Sequence, residues 1–163
     1  MQEYKFDQKE TELLAQQLEV DSCLEEICNL ISNDGGQNEL KSCNNFKNKK
    51  CISGDAVPKA LGVMDTPKTM DVVFAGVKGK GKILLLTELK FKQKNIDKHL
   101  VNSLLEKERK TKDFFNGWGH FSHVILANDE KFQRKKNTLS KYLQPKAKTM
   151  KVLTLQELHD CYF

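Results

Sequence analysis

Two apolar runs joined by a glycine-rich turn constrain this chain more than any other feature. They are Met70-Asp71-Val72-Val73-Phe74-Ala75 and Ile83-Leu84-Leu85-Leu86-Thr87-Glu88-Leu89-Lys90-Phe91, with Gly76-Val77-Lys78-Gly79-Lys80-Gly81 between them. Hydrophobic, β-branched and aromatic residues bounded by such a turn read as a β-hairpin. Asp71, Glu88 and Lys90 sit inside this pattern, where strands favour apolar side chains. An unpaired buried carboxylate or ammonium is costly, so charges placed there are paired, neutralised or bound to a cation. Strand residues two apart share a face, which puts Glu88 and Lys90 side by side. That face is the candidate site.

The flanking segments supply the layers. Leu13, Val20, Leu24, Ile27 and Ile31 recur at helical spacing and predict a helix over about 8–32, ended by Asn33-Asp34-Gly35-Gly36. Residues 34–56 are rich in Asn, Lys, Gly and Ser without periodicity, and read as a long polar loop. Ala60–Met64 reads as a short strand, followed by the hairpin over about 71–77 and 82–92. From Ile96 the apolar positions Leu100, Val101, Leu104 and Leu105 turn helical, with Asn95 as N-cap and Lys107, Arg109, Lys110 and Lys112 complementing the C-terminal dipole. A strand over 121–127, a basic helix over 130–142, a strand over 151–155 and a helical turn over 156–161 complete the chain. The order α-β-β-β-α-β-α-β-α predicts an α/β fold, a mixed central sheet with flanking helices, as one domain over 1–163.

Composition excludes several classes. The longest apolar stretch, around Ile83–Leu86, is too short to span a bilayer, and the N-terminal segment has no secretory apolar region, so a cytoplasmic chain with no membrane partner is expected. Cys23, Cys28, Cys43, Cys51 and Cys161 show no C-x-x-C or zinc spacing and read as free thiols, although Cys43 and Cys51 share a loop that a metal or disulfide could tie. Residues 1–39 hold ten acids against two lysines, a net of −8, while the remainder holds 25 Lys/Arg against 12 acids, a net of +13. The basic part suits a polyanion, and the acidic N-terminal helix suits a protein partner or a second copy of the chain.

Hydrolysis of a phosphodiester needs an activated water and a cation to balance charge at phosphorus, and a bound Mg²⁺ (or Mn²⁺) meets both needs. This hard ion takes one or two protein carboxylates and completes its octahedron with water and phosphate. Asp71 and Glu88 can supply those carboxylates, and Lys90 can position the water or stabilise developing charge. Asp71 followed by Glu88-Leu89-Lys90 on the next strand resembles the signature of the PD-(D/E)XK nuclease superfamily, whose α-β-β-β-α-β core matches the order of elements over about 8–127. The resemblance implies a restriction-endonuclease-like core. It also implies Asp71 and Glu88 as metal ligands, the Leu89 carbonyl beside them, Lys90 assisting the water, and an additional acid from the first helix, Glu25 or Glu26. Met70 stands where members often have proline, with Pro67 further upstream.

Other patterns are weaker. Gly76–Lys82 nearly spells a P-loop, but Ile83 replaces the metal-binding hydroxyl and a strand follows in place of a helix. His99, His120, His123 and His159 show no ligand spacing and read as packing or surface residues, and no Ser or Cys stands in a nucleophile motif. Asn116-Gly117-Trp118-Gly119 reads as a turn whose tryptophan covers the sheet edge or stacks on a base. The expected function is therefore a metal-dependent nuclease acting on DNA ahead of RNA, with Lys92, Lys94, Arg134, Lys135 and Lys136 contacting phosphates. The alternative is a non-catalytic nucleic-acid-binding or inhibitory protein on the same fold.

Overall fold

The computed structural model describes residues 4–36, 39, 44–147 and 149–163. At its centre is the hairpin of β4 (Val72–Lys78) and β5 (Gly81–Lys90), antiparallel in a register running from Val72 opposite Thr87 to Lys78 opposite Gly81. Gly79 turns the corner with φ 56°, a left-handed conformation that costs glycine nothing. Around this hairpin the strands β1 (Lys5–Phe6), β2 (Leu24–Glu26), β3 (Lys50–Ser53), β6 (His120–Leu126) and β7 (Met150–Leu153) complete a mixed seven-stranded sheet. The order is β2-β3-β4-β5-β6-β7, with β1 pairing the far end of β4. Pairing is antiparallel from β2 to β5 and parallel from β5 to β7.

Helices cover both faces. On one side lie α1 (Gln8–Gln17), α4 (Lys98–Phe114) and α5 (Phe132–Leu143), whose Leu14, Leu104 and Leu139 pack with Leu84, Leu86, Val124 and Leu126 of the strands. On the other side α2 (Ile27–Asn33) and α6 (Leu155–Tyr162) pack Ile31 and Leu158 against Phe74, Leu85 and Leu89. The short α3 (Val57–Ala60) lies between β3 and β4. No helix among the described residues is long and apolar enough to cross a membrane. The right-hand half of the sheet, β5-α4-β6-α5-β7, is the parallel crossover arrangement expected where strands alternate with helices.

Four expectations are corrected. The helix over 8–32 breaks at Glu19, which takes φ 57°, and the chain restarts as β2 before α2. Pairing decides this: Leu24 faces Ile52 and Glu26 faces Lys50, an apolar and an opposite-charge cross-strand pair that outweigh helical periodicity. Within the loop read over 34–56, residues 37, 38 and 40–43 lie outside the described residues, but 50–53 form β3, the first strand of the meander. The strand expected over Ala60–Met64 is instead the end of α3 and a turn, because Pro58 favours a helix start and Gly62 turns the chain with φ 66°. The N-cap of α4 is Asp97 rather than Asn95, its carboxylate accepting from the Leu100 N–H at 2.9 Å.

The reading of five free thiols is corrected as well. Cys28, in the first turn of α2, is disulfide-bonded. Cys23 and Cys51 are buried thiols, and Cys43 lies outside the described residues. Pairing follows proximity in the fold, which spacing along the chain does not reveal.

Candidate active site

The register of the hairpin brings the charged residues together. Continuing the β4–β5 pairing one residue beyond Val72 and Thr87 sets Asp71 across from Glu88. The Leu89 N–H donates to Asp71 Oδ2 at 2.7 Å and fixes one of its oxygens. Glu88 and Lys90 share the face toward α4, and Lys90 Nζ lies 3.1 Å from Glu88 Oε1. Glu88 is wholly buried (0 % exposed), so its pairing is a condition of its being there at all.

A second ammonium meets the same oxygen. Lys107 of α4 donates to Glu88 Oε1 at 2.5 Å. Its position on the helix explains its direction, since Leu100, Leu104, Lys107 and Thr111 recur at four, three and four residues and so form one inward stripe. A lysine on a buried stripe was the sequence signal for this residue, obscured by the basic run around it. The helix is held in place one turn later: the buried Met70 N–H donates to Thr111 Oγ1 at 2.8 Å, and that hydroxyl donates to the Lys107 carbonyl at 2.7 Å.

Two further acids reach the site. The Gly54 N–H donates to the Asp71 carbonyl at 3.0 Å, and the backbones approach so closely that a Cβ on Gly54 would lie 1.8 Å from the Met70 carbonyl oxygen. Only glycine permits this approach, which sets Asp55 beside Asp71; the Thr69 hydroxyl steadies that carboxylate at 3.4 Å. Asp34 caps the end of α2, where Gly35 passes so near Lys92 that a Cβ would sit 2.2 Å from Lys92 Cε.

The electrostatics follow from this crowding. Burial, followed by the charge of Glu88, pushes the Asp71 carboxyl up to about 8, against the Leu89 hydrogen bond and Lys107, which favour its charged form. Burial also raises Asp34, with Glu88 and Asp55 adding to the effect and Lys90 and Lys107 opposing it. Burial works against the Lys107 ammonium, but the charge and hydrogen bond of Glu88 outweigh it and hold its pKa above the ordinary lysine value. Asp34, Asp55, Asp71 and Glu88 against Lys90 and Lys107 give four negative and two positive charges when all are ionised, a formal −2. Two carboxyls held above their normal range are the expected response to that imbalance.

This donor set fits a hard divalent ion. Such an ion needs only one or two protein carboxylates and takes water for the rest. Glu88 Oε2 is buried and has no hydrogen-bond partner among the described residues, and Asp71 lies across from it. No group of three His, Cys, Asp or Glu side chains among the described residues forms a ready cage.

The remaining expected site residues divide. Glu25 and Glu26 lie on β2 opposite Cys51 and Lys50, at the end of β3 away from Asp55. Neither is among the charges acting on Asp71. Glu25 instead adds to burial in raising the Cys51 thiol. Lys92, Lys94 and Lys135 line a 680 Å³ cleft with Phe91, Asp129 and Lys131, just past the C-terminal ends of the parallel strands β5 and β6. Lys94 and Lys135 continue into a 270 Å³ cleft that Arg134 joins. Lys136 turns elsewhere, over the Phe132 ring at 5.7 Å and toward Glu157 at 3.9 Å.

His123 and Tyr162, buried on the opposite face, form a packing pair at 2.7 Å. Set against known proteins, the chain matches no family model, and no curated protein and no solved structure is significantly similar to it.

Proposed function

We propose that this chain is a metal-dependent nuclease with a restriction-endonuclease-like core, hydrolysing phosphodiester bonds in DNA ahead of RNA. The observation that carries the reading is the convergence of Asp71, Glu88 and Lys90 on one face where β4 and β5 meet. The order α1, β3, β4, β5, α4, β6 supports it, with Asp71 leading into the second of these strands and Glu88 and Lys90 closing the third.

In this reading Asp71 and the open Oε2 of Glu88 hold a Mg²⁺ or Mn²⁺ ion, and Asp55 adds negative charge behind them. The ion supplies charge neutralisation at phosphorus and an acidified water. Leu89 N–H locks one Asp71 oxygen and leaves the other for the ion. Lys90, half-exposed beside Glu88, presents its ammonium to the water or to the phosphoryl oxygens. The basic clefts beyond β5 and β6 draw in the phosphate backbone through Lys92, Lys94, Lys131 and Arg134.

The test is Mn²⁺ titration together with cleavage of single-stranded, double-stranded and branched DNA and of RNA. Wild-type protein binds Mn²⁺ and cuts at least one of these substrates, and Asp71→Ala and Glu88→Ala each lose both properties. Intact substrates throughout, or full cutting by either variant, overturn the nuclease reading. In that case the double pairing of Glu88 with Lys90 and Lys107 favours a non-catalytic nucleic-acid-binding protein whose acids need no ion.

A further inference from the structure

We infer that Lys107 is a displaceable counter-ion: its ammonium occupies the Glu88 carboxylate when no metal is bound and swings to a substrate phosphate once a divalent cation arrives. The inference rests on the nuclease reading and deepens it.

The pairing of Glu88 is lopsided. Lys107 at 2.5 Å and Lys90 at 3.1 Å both address Oε1, while the buried Oε2 has no hydrogen-bond partner among the described residues. A purely structural tether needs one ammonium, and a second on the same oxygen adds repulsion between the lysines. Two cations crowded on one carboxylate are instead what a site holding more acids than lysines recruits. A divalent ion supplies that charge without either lysine.

Lys107 is also built to move alone. Its carbonyl is anchored by Thr111, which is anchored in turn by Met70, so the helix stays while a four-carbon stem pivots. The Lys107 side chain keeps 14 % of its surface exposed and Lys90 27 %, so neither lysine is sealed inside the core. Once displaced, Lys107 adds a point charge suited to a phosphate oxygen, facing the substrate from the helix side while Lys90 faces it from the strand.

Removing a competitor must tighten the metal. Lys107→Met keeps the stem and removes the charge, and it binds Mn²⁺ about tenfold or more tightly than wild type, read by electron paramagnetic resonance of free Mn²⁺. Cleavage at saturating Mn²⁺ falls in the same variant. Lys107→Arg, which keeps the charge and grips a carboxylate with a fork, binds Mn²⁺ more weakly than wild type and covers the case in which the methionine variant does not fold. Wild-type affinity in a folded Lys107→Met, or in Lys107→Arg, overturns the inference; if Asp71→Asn still abolishes Mn²⁺ binding, the nuclease reading stands without it. If neither wild type nor Lys107→Met binds Mn²⁺, the nuclease reading falls and the inference falls with it.

Discussion

His123 is completely buried in β6, its Nε2 2.7 Å from the Tyr162 hydroxyl and its ring edge-on to that phenol. Burial, reinforced by the charge of Lys151, pushes its pKa down to about 4 from the ordinary 6.5, and burial pushes Tyr162 up to about 12. The folded state therefore binds this proton less readily than the unfolded chain does. The resulting stability is fully present above pH 6.5 and is lost as the pH falls toward 4, by about 1.4 kcal/mol per unit. Urea unfolding at pH 7.5 and 4.5 measures the loss, and His123→Phe flattens the slope by roughly this contribution; an unchanged slope places the acid sensitivity in other groups. The same scale separates what could be read in advance. Asp71, Glu88 and Lys90 were legible because strand alternation fixes the face of each side chain. Asp34, Asp55 and Lys107 were not, because a helix end, the tight approach of Gly54 and a helix face carry them to the site from distant parts of the chain.

At the level of elements, the hairpin and the five segments after it followed directly from periodicity and glycine placement, and lie within a few residues of expectation. The N-terminal third did not. Leu24–Glu26 carries helical spacing and becomes strand only because β3, some 25 residues on, offers Ile52 and Lys50 as partners. β3 itself is four residues in a polar segment and has no pattern to detect. The junction that matters most for the site is between α4 and the chain leading into β4. It consists of the Met70 N–H, buried at 0 % exposure, donating to Thr111 Oγ1 at 2.8 Å. Thr111→Val keeps the shape and removes the acceptor, leaving that donor unsatisfied at a cost of about 1–3 kcal/mol. Chemical denaturation detects the loss. A variant as stable as wild type shows that water or a shift of the helix satisfies Met70.

Across the whole molecule, several acids of the first 39 residues meet groups of the later chain. Glu10 pairs with Lys82 at 2.7 Å, Glu26 faces Lys50, Asp34 joins the site lysines, and Glu39 accepts from the Asn128 N–H at 3.0 Å. The clefts past β5 and β6 are lined by Lys92, Lys94, Lys131 and Arg134 beside Asp129 and Glu130, while the Lys135 ammonium donates to the Gln93 carbonyl at 2.6 Å. A polyanion held there releases one set of counterions per phosphate neutralised, giving a slope of about −0.9 in log K against log salt for each contact on duplex DNA. Lys92, Lys94, Lys131 and Arg134 then set a total slope of about −3 to −4. Fluorescence anisotropy with duplex DNA in EDTA, which prevents cutting, measures it. The double variant Lys92→Ala, Lys94→Ala lowers the slope by about 2, whereas Lys136→Ala, whose ammonium lies over Phe132, leaves it unchanged. A slope near zero for the wild type, or equal losses in both variants, would show that the clefts are not where the phosphates lie.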